Sequence, residues 1–120
     1  MYTIGEFSRL TELSIHTLRF YEKEELLEPR RDRINRRSYS EQDLAWVAFI
    51  KRLKNTGMSL KNIKIYSDLR KKGETTYRER LELLEEHTKN LDNKIASLLK
   101  NKENLAQKIA FYQEQIVKQR

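Results

Sequence analysis

Five of the eight residues from Arg30 to Arg37 are arginine and one is aspartate. Guanidinium groups set this close repel one another unless a polyanion neutralises them, and the commonest cellular polyanion is nucleic acid. The bland alternative is a solvated loop. The elements on either side decide between the two.

Little else in the chain could do chemistry. It has no cysteine and two histidines, His16 and His87. Disulfides, thiolate metal sites and thiol nucleophiles are therefore excluded. A metal site at His87 would need more ligands from a second chain, and no glycine-rich phosphate loop is present. No metal, no cofactor, no catalytic residues and no enzymatic activity are expected. No apolar run has membrane-spanning length, and the start, Met1 to Glu6, lacks a signal-peptide pattern. A cytoplasmic protein without a membrane partner is the expectation.

The arginines are positioned by a run of helix signals. Thr3-Ile4-Gly5-Glu6 reads as a capping box, followed by Ile4, Phe7 and Leu10 at helical spacing. That first helix is expected to end near Leu10, with Thr11-Glu12-Leu13 as a tight connection. Ser14 caps a second helix in which Leu18, Tyr21 and Ile15 face inward. Two short helices joined this tightly read as a helix-turn-helix. Pro29 then stops helix, and the arginine-rich stretch has the length of a hairpin closing at Tyr39, with Ile34-Asn35 at its turn. The turn type stays open without a glycine. Ser40 starts a third helix with Leu44, Val47, Ile50 and Leu53 inward, stopped at Gly57. Ser59 caps a fourth with Leu60, Ile63, Tyr66 and Leu69 on one face, ended by Gly73.

From Thr76-Tyr77-Arg78-Glu79, another capping box, the chain has no glycine or proline. A three-four alternation follows. With Leu81 at heptad position a, Ile95, Ile109 and Ile116 also fall at a, and Leu84, Leu91, Leu98, Leu105 and Tyr112 fall at d. This is a coiled-coil seam of about five heptads, roughly 55 Å long. A lone helix cannot bury such a stripe, so a second copy is the simplest partner. Thr88 and Lys102 interrupt the seam.

Charge divides along the same line. Residues 1–73 carry 16 Lys/Arg and 10 Asp/Glu; residues 74–120 carry 9 and 8. The net charge of +7 therefore resides almost wholly in the first part. The expected domains are 1–73, binding nucleic acid, and 74–120, a dimerisation helix.

At residue level the chain resembles the MerR family of bacterial transcription regulators. The resemblance is carried by Tyr2-Thr3-Ile4-Gly5-Glu6-Phe7-Ser8, Thr17-Leu18-Arg19-Phe20-Tyr21-Glu22, Leu26-Leu27 with Pro29-Arg30, Arg37-Ser38-Tyr39-Ser40, and Gly57-Met58-Ser59-Leu60. It covers residues 2–72 closely and the remainder by architecture. It implies a mainly α fold: a winged helix-turn-helix with a small β wing, then a long antiparallel coiled-coil helix. By the resemblance, the second helix, Ser14 to about Glu25, enters the major groove. There His16 and Thr17 reach base edges while Arg19, Phe20 and Tyr21 lie on the backbone. Arg30, Asn35, Arg36, Arg37 and Tyr39 of the wing would hold phosphate or the adjacent minor groove. Thr3, Ser14 and Ser59 complete the contact set, Ser59 through the free N–H groups of its helix.

The implied role is a homodimeric regulator on a palindromic operator, seamed through Leu84, Leu91, Ile95, Leu98, Leu105, Ile109, Tyr112 and Ile116. It would deform double-stranded promoter DNA and so act on RNA polymerase indirectly. The chain departs from many relatives in lacking a wing glycine and sensing cysteines, and a short form without a separate effector domain is the expectation. A small-molecule effector is left open. Trp46, Phe49, Tyr66, Phe111 and Tyr112 could line its pocket, although ordinary packing is the preferred reading of that set. The competing function is a non-specific architectural DNA-binding protein.

Overall fold

The computed structural model describes residues 1–120 and is mainly helical. Its elements run α1 (Ile4–Thr11), α2 (Ile15–Lys23), β1 (Arg30–Arg31), β2 (Arg37–Ser38), α3 (Glu41–Asn55), α4 (Leu60–Lys72), a 3-10 turn (Glu74–Thr76) and α5 (Tyr77–Lys118). The chain packs as two units, Met1–Leu81 and Glu82–Arg120.

Caps written into the sequence start most of the helices. Thr3 Oγ1 accepts from the Glu6 N–H at 3.1 Å, and the Glu6 carboxylate accepts from the Thr3 N–H at 2.9 Å. The Thr3 N–H, with the Thr3 hydroxyl adding to it, holds the Glu6 carboxyl below the usual carboxylate range. Ser40 and Asp43 make the same reciprocal pair at the start of α3. Ser14 and Ser59 each accept one backbone N–H, from Thr17 and Asn62. Each cap satisfies donors that the first helical turn cannot satisfy internally.

Several expectations about faces and ends are corrected. Leu10 is 53% exposed, and α1 buries Phe7 and Thr11 instead. Thr11 can enter the core because its hydroxyl donates to the Phe7 carbonyl at 2.8 Å. Ile15 faces outward. The second helix stops at Lys23, short of Glu25, because Glu25 takes a left-handed conformation (φ 61°). That twist returns the Leu26 and Leu27 N–H groups to the Tyr21 carbonyl and drives both leucines into the core. Leu60 is half-exposed, so α4 buries Ile63 and Ser67. Thr76 makes no capping box with Glu79. Its hydroxyl lies within reach of the Leu69 and Gly73 carbonyls and accepts from Arg80 Nε at 3.1 Å.

The core of the first unit gathers α1, α2, α3 and the base of the wing. Phe7, Leu18, Tyr21, Leu27, Val47 and Ile50 are almost fully buried. Trp46 closes one side and donates its indole N–H to the Leu26 carbonyl at 2.7 Å. The wing pairs antiparallel, Arg30 opposite Ser38 and Arg31 opposite Arg37. At its base, Tyr2 and Tyr39 exchange backbone bonds at 2.7 and 2.9 Å, and the Tyr39 ring stacks on Phe7.

Within α5 no residue is buried, as expected for a helix whose apolar stripe is unpartnered in a single chain. Leu98, Leu105, Ile109, Tyr112 and Ile116 are all more than half exposed. No helix is long and apolar enough to cross a membrane.

Candidate nucleic-acid interface

The first turn of α2 presents a polar, uncovered face. His16 and Arg19 are exposed, and Arg19 has no ion-pair partner. Thr17 is half-buried, its hydroxyl 2.9 Å from that of Ser14. Phe20 is 41% exposed beside Tyr21, at 6.3 Å between ring centroids. Tyr21 itself is 1% exposed, so it is a core residue and not a surface contact. What reaches the surface there is Lys54, whose ammonium group donates to the Tyr21 hydroxyl at 3.4 Å and lies 5.6 Å from the ring centroid.

Three of the five wing arginines are tied within the protein. Arg36 pairs with Asp32 at 3.1 Å, and Arg37 and Arg31 both donate to Glu22 of α2, at 2.5 and 3.3 Å. Arg30 and Arg33 are exposed and have no ion-pair partner. Asp32 also organises the turn. Its carboxylate accepts the N–H groups of Ile34 at 3.0 Å and Arg36 at 2.9 Å. The Arg36 N–H is the foremost cause that holds the Asp32 carboxyl below its ordinary range, with the Ile34 N–H and the Arg36 guanidinium adding to it. Asn35 takes the left-handed conformation, φ 62°, that a glycine would otherwise supply. The turn left open by the sequence is thus closed by an aspartate and an asparagine.

A cleft of about 320 Å³ lies between the wing and the start of α1, lined by Thr3, Ile4, Arg31, Asp32, Asn35, Arg36 and Arg37. It brings Thr3, Asn35, Arg36 and Arg37 of the expected contact set to one place. Tyr39 does not join them. It is fully buried, its hydroxyl makes no hydrogen bond, and burial pushes that hydroxyl's pKa up. Its expected grip on phosphate is therefore replaced by a packing role under the wing. Ser59 and the half-exposed Leu60 open α4 as expected, leaving first-turn N–H groups without helical partners.

Other cations have separate employment. Lys51 donates to the Thr11 carbonyl at 2.7 Å and so caps the end of α1. Lys64 pairs with Glu24 at 3.0 Å. Trp46, Phe49 and Tyr66 form one aromatic cluster, with the Arg70 guanidinium 4.3 Å from the Trp46 ring centroid. Phe111 and Tyr112 contact each other in the second unit. No three His, Cys, Asp or Glu side chains gather as a metal site requires.

Sequence reasoning missed Glu22 and Lys54 as organisers and treated Asp32 only as a charge. Glu22 lies fifteen residues from Arg37, and no local pattern links them. For Asp32 a signal existed: an aspartate two residues before a turn is a ready acceptor for its N–H groups.

The chain is similar to known proteins over most of its length. A family profile described as MerR HTH family regulatory protein matches residues 2–69, and one described as MerR, DNA binding matches 44–108. An HTH-type transcriptional regulator of Haemophilus influenzae is 42% identical over 114 residues, covering 94% of this chain and 84% of that protein. The crystal structure of HiNmlR, a MerR family regulator lacking the sensor domain and bound to promoter DNA, superposes with a TM-score of 0.83 at 42% identity. The match covers 94% of this chain and 90% of that one. A MerR family transcriptional regulator from Listeria monocytogenes gives 0.87 at 29% identity, covering 93% and 86%.

Proposed function

The chain belongs to the MerR family of helix-turn-helix regulatory proteins, and on that premise we propose that it binds promoter DNA as a homodimer and regulates transcription by deforming that DNA. Residues 1–73 read the operator, and 74–120 hold the second copy. The start of α2 enters the major groove, where His16 and Thr17 meet base edges and Arg19 and Phe20 meet the sugar-phosphate backbone. Arg30, Arg36 and Arg37 hold phosphates beside it, together with the first-turn N–H groups after Ser59. The a and d residues of α5 pair with those of a second chain in antiparallel register. Two heads at a fixed spacing then suit a palindromic site, and polymerase responds to the altered promoter shape. The role is cytoplasmic and involves no catalysis.

The observation that carries this reading is the exposed, unpaired face of His16, Arg19 and Phe20 on a capped helix. Mobility-shift titrations on the promoter preceding its own reading frame test it. Arg19→Ala should weaken binding about eightfold in 0.1 M salt and reduce the salt slope by about 0.9, the value of one phosphate contact. Unchanged affinity removes Arg19 from the interface. Equal affinity of the native protein for this promoter and a scrambled duplex moves the protein to the architectural class.

A further inference from the structure

Glu22 is the acid through which the wing is held. Arg31 and Arg37 stand directly opposite each other across the β1–β2 pair. Like charges in that relation destabilise a two-stranded sheet. The Glu22 carboxylate spans both guanidiniums, one on each strand, and no other carboxylate pairs with either. The Glu22 and Arg37 side chains are 25% and 27% exposed, so water screens the pair less than it would a fully exposed one. Glu22 lies one helical turn beyond Arg19, on the helix that carries His16 and Thr17. The reading helix and both wing strands therefore meet at one carboxylate.

Two physical consequences follow. Glu22 and Asp32 together reduce the five positive charges of the wing to a net three. Binding to DNA of arbitrary sequence is almost wholly electrostatic, so it loses most from that reduction, whereas base-edge contacts do not depend on it. The clamp also fixes the wing relative to α2, so the wing meets phosphate best where α2 is seated in its groove. Arg37 engages Glu22 through Nε, and its terminal nitrogens remain for a phosphate in the seated complex.

Resting on the DNA-binding role proposed above, we infer that Glu22 is a specificity-setting residue. By occupying the cross-strand arginine pair it suppresses binding to arbitrary sequence and couples phosphate grip to groove reading.

The test measures affinity against salt concentration for the promoter duplex and for a scrambled duplex of equal length and composition. Glu22→Gln should bind the scrambled duplex about eightfold more tightly in 0.1 M salt, with a slope steeper by about 0.9. Promoter affinity should rise less, so the specificity ratio falls. Glu22→Asp keeps the charge and should keep the native slope. Glu22→Gln with Arg37→Gln should return the slope to the native value, and circular dichroism checks that each variant is folded. A merely structural strut predicts something else: weaker binding to both duplexes with an unchanged slope. That result overturns the inference, as does an equal steepening in Glu22→Asp. Native protein that binds neither duplex overturns the proposed function and this inference with it. Native binding with an unmoved Glu22→Gln slope overturns the inference alone.

Discussion

Phe7→Ala tests how the wing is anchored. The Phe7 and Tyr39 rings lie 4.3 Å apart and 8° from parallel, and neither is exposed. Removing a fully buried phenyl ring costs about 3–5 kcal/mol, through lost transfer energy and the cavity left behind. The aromatic pair contributes about 0.5–1.5 kcal/mol of this. Phe7→Leu, which keeps most of the apolar volume, should cost nearer the pair term alone. A domain of this kind holds about 5–15 kcal/mol in total, so Phe7→Ala should fold but with much of its margin gone. Urea unfolding followed by the fluorescence of Trp46, the only tryptophan, reads the effect. With a slope of about 2 kcal/mol per molar, the midpoint should fall by roughly 2 M. Protein concentration must be held fixed, because association of copies also shifts the midpoint. The cavity opens directly under the Tyr2–Tyr39 bridge, so amide exchange at those two residues should accelerate beyond the global change. A loss below about 1 kcal/mol would refute the claim that this stack anchors the wing.

Other outcomes follow from single contacts. The Asp32 carboxyl titrates below its unfolded value, so its contribution is complete above that unfolded value and disappears as pH falls through the lowered one. Amide protection at Ile34 and Arg36, measured relative to the intrinsic exchange rate at each pH, should therefore fall in acid, and Asp32→Ala should abolish that fall. Trp46→Phe leaves the buried Leu26 carbonyl without its donor, which costs about 1–3 kcal/mol and should lower the melting temperature by circular dichroism. Gly73 takes φ 88° and ψ −154°, a region that side chains avoid even with open space around them, so Gly73→Ala should cost about 1–3 kcal/mol in the same assay. Leu98→Asp, at a d position 67% exposed in the single chain, should shift sedimentation from dimer toward protomer; an unchanged dimer would move the seam elsewhere.

What the sequence determined by itself is the local and the periodic. The caps at Thr3, Ser14, Ser40 and Ser59, the stops at Gly57 and Gly73, and the heptads of α5 are relations between residues a few positions apart. Such relations act whatever else the chain does, so the mainly helical order with one basic hairpin was legible before any packing was known. The net positive charge of the first 73 residues was legible for the same reason, being a count. The tertiary structure alone decided which side chains keep their charge and reach the surface. Tyr39 is amphipathic, and only its stacking on Phe7 made it core, whereas the inward phase of Tyr21 with Leu18 was already legible. Lys51 has the same charge as its neighbours, and only the end of α1 gave it a carbonyl to cap. The arginines of the wing are alike in sequence, yet Arg31 and Arg37 are held by Glu22 while Arg30 and Arg33 have no ion-pair partner. Burial and ion pairing depend on distance in space, and a carboxylate fifteen residues away acquires a partner only after helix and hairpin have closed on each other.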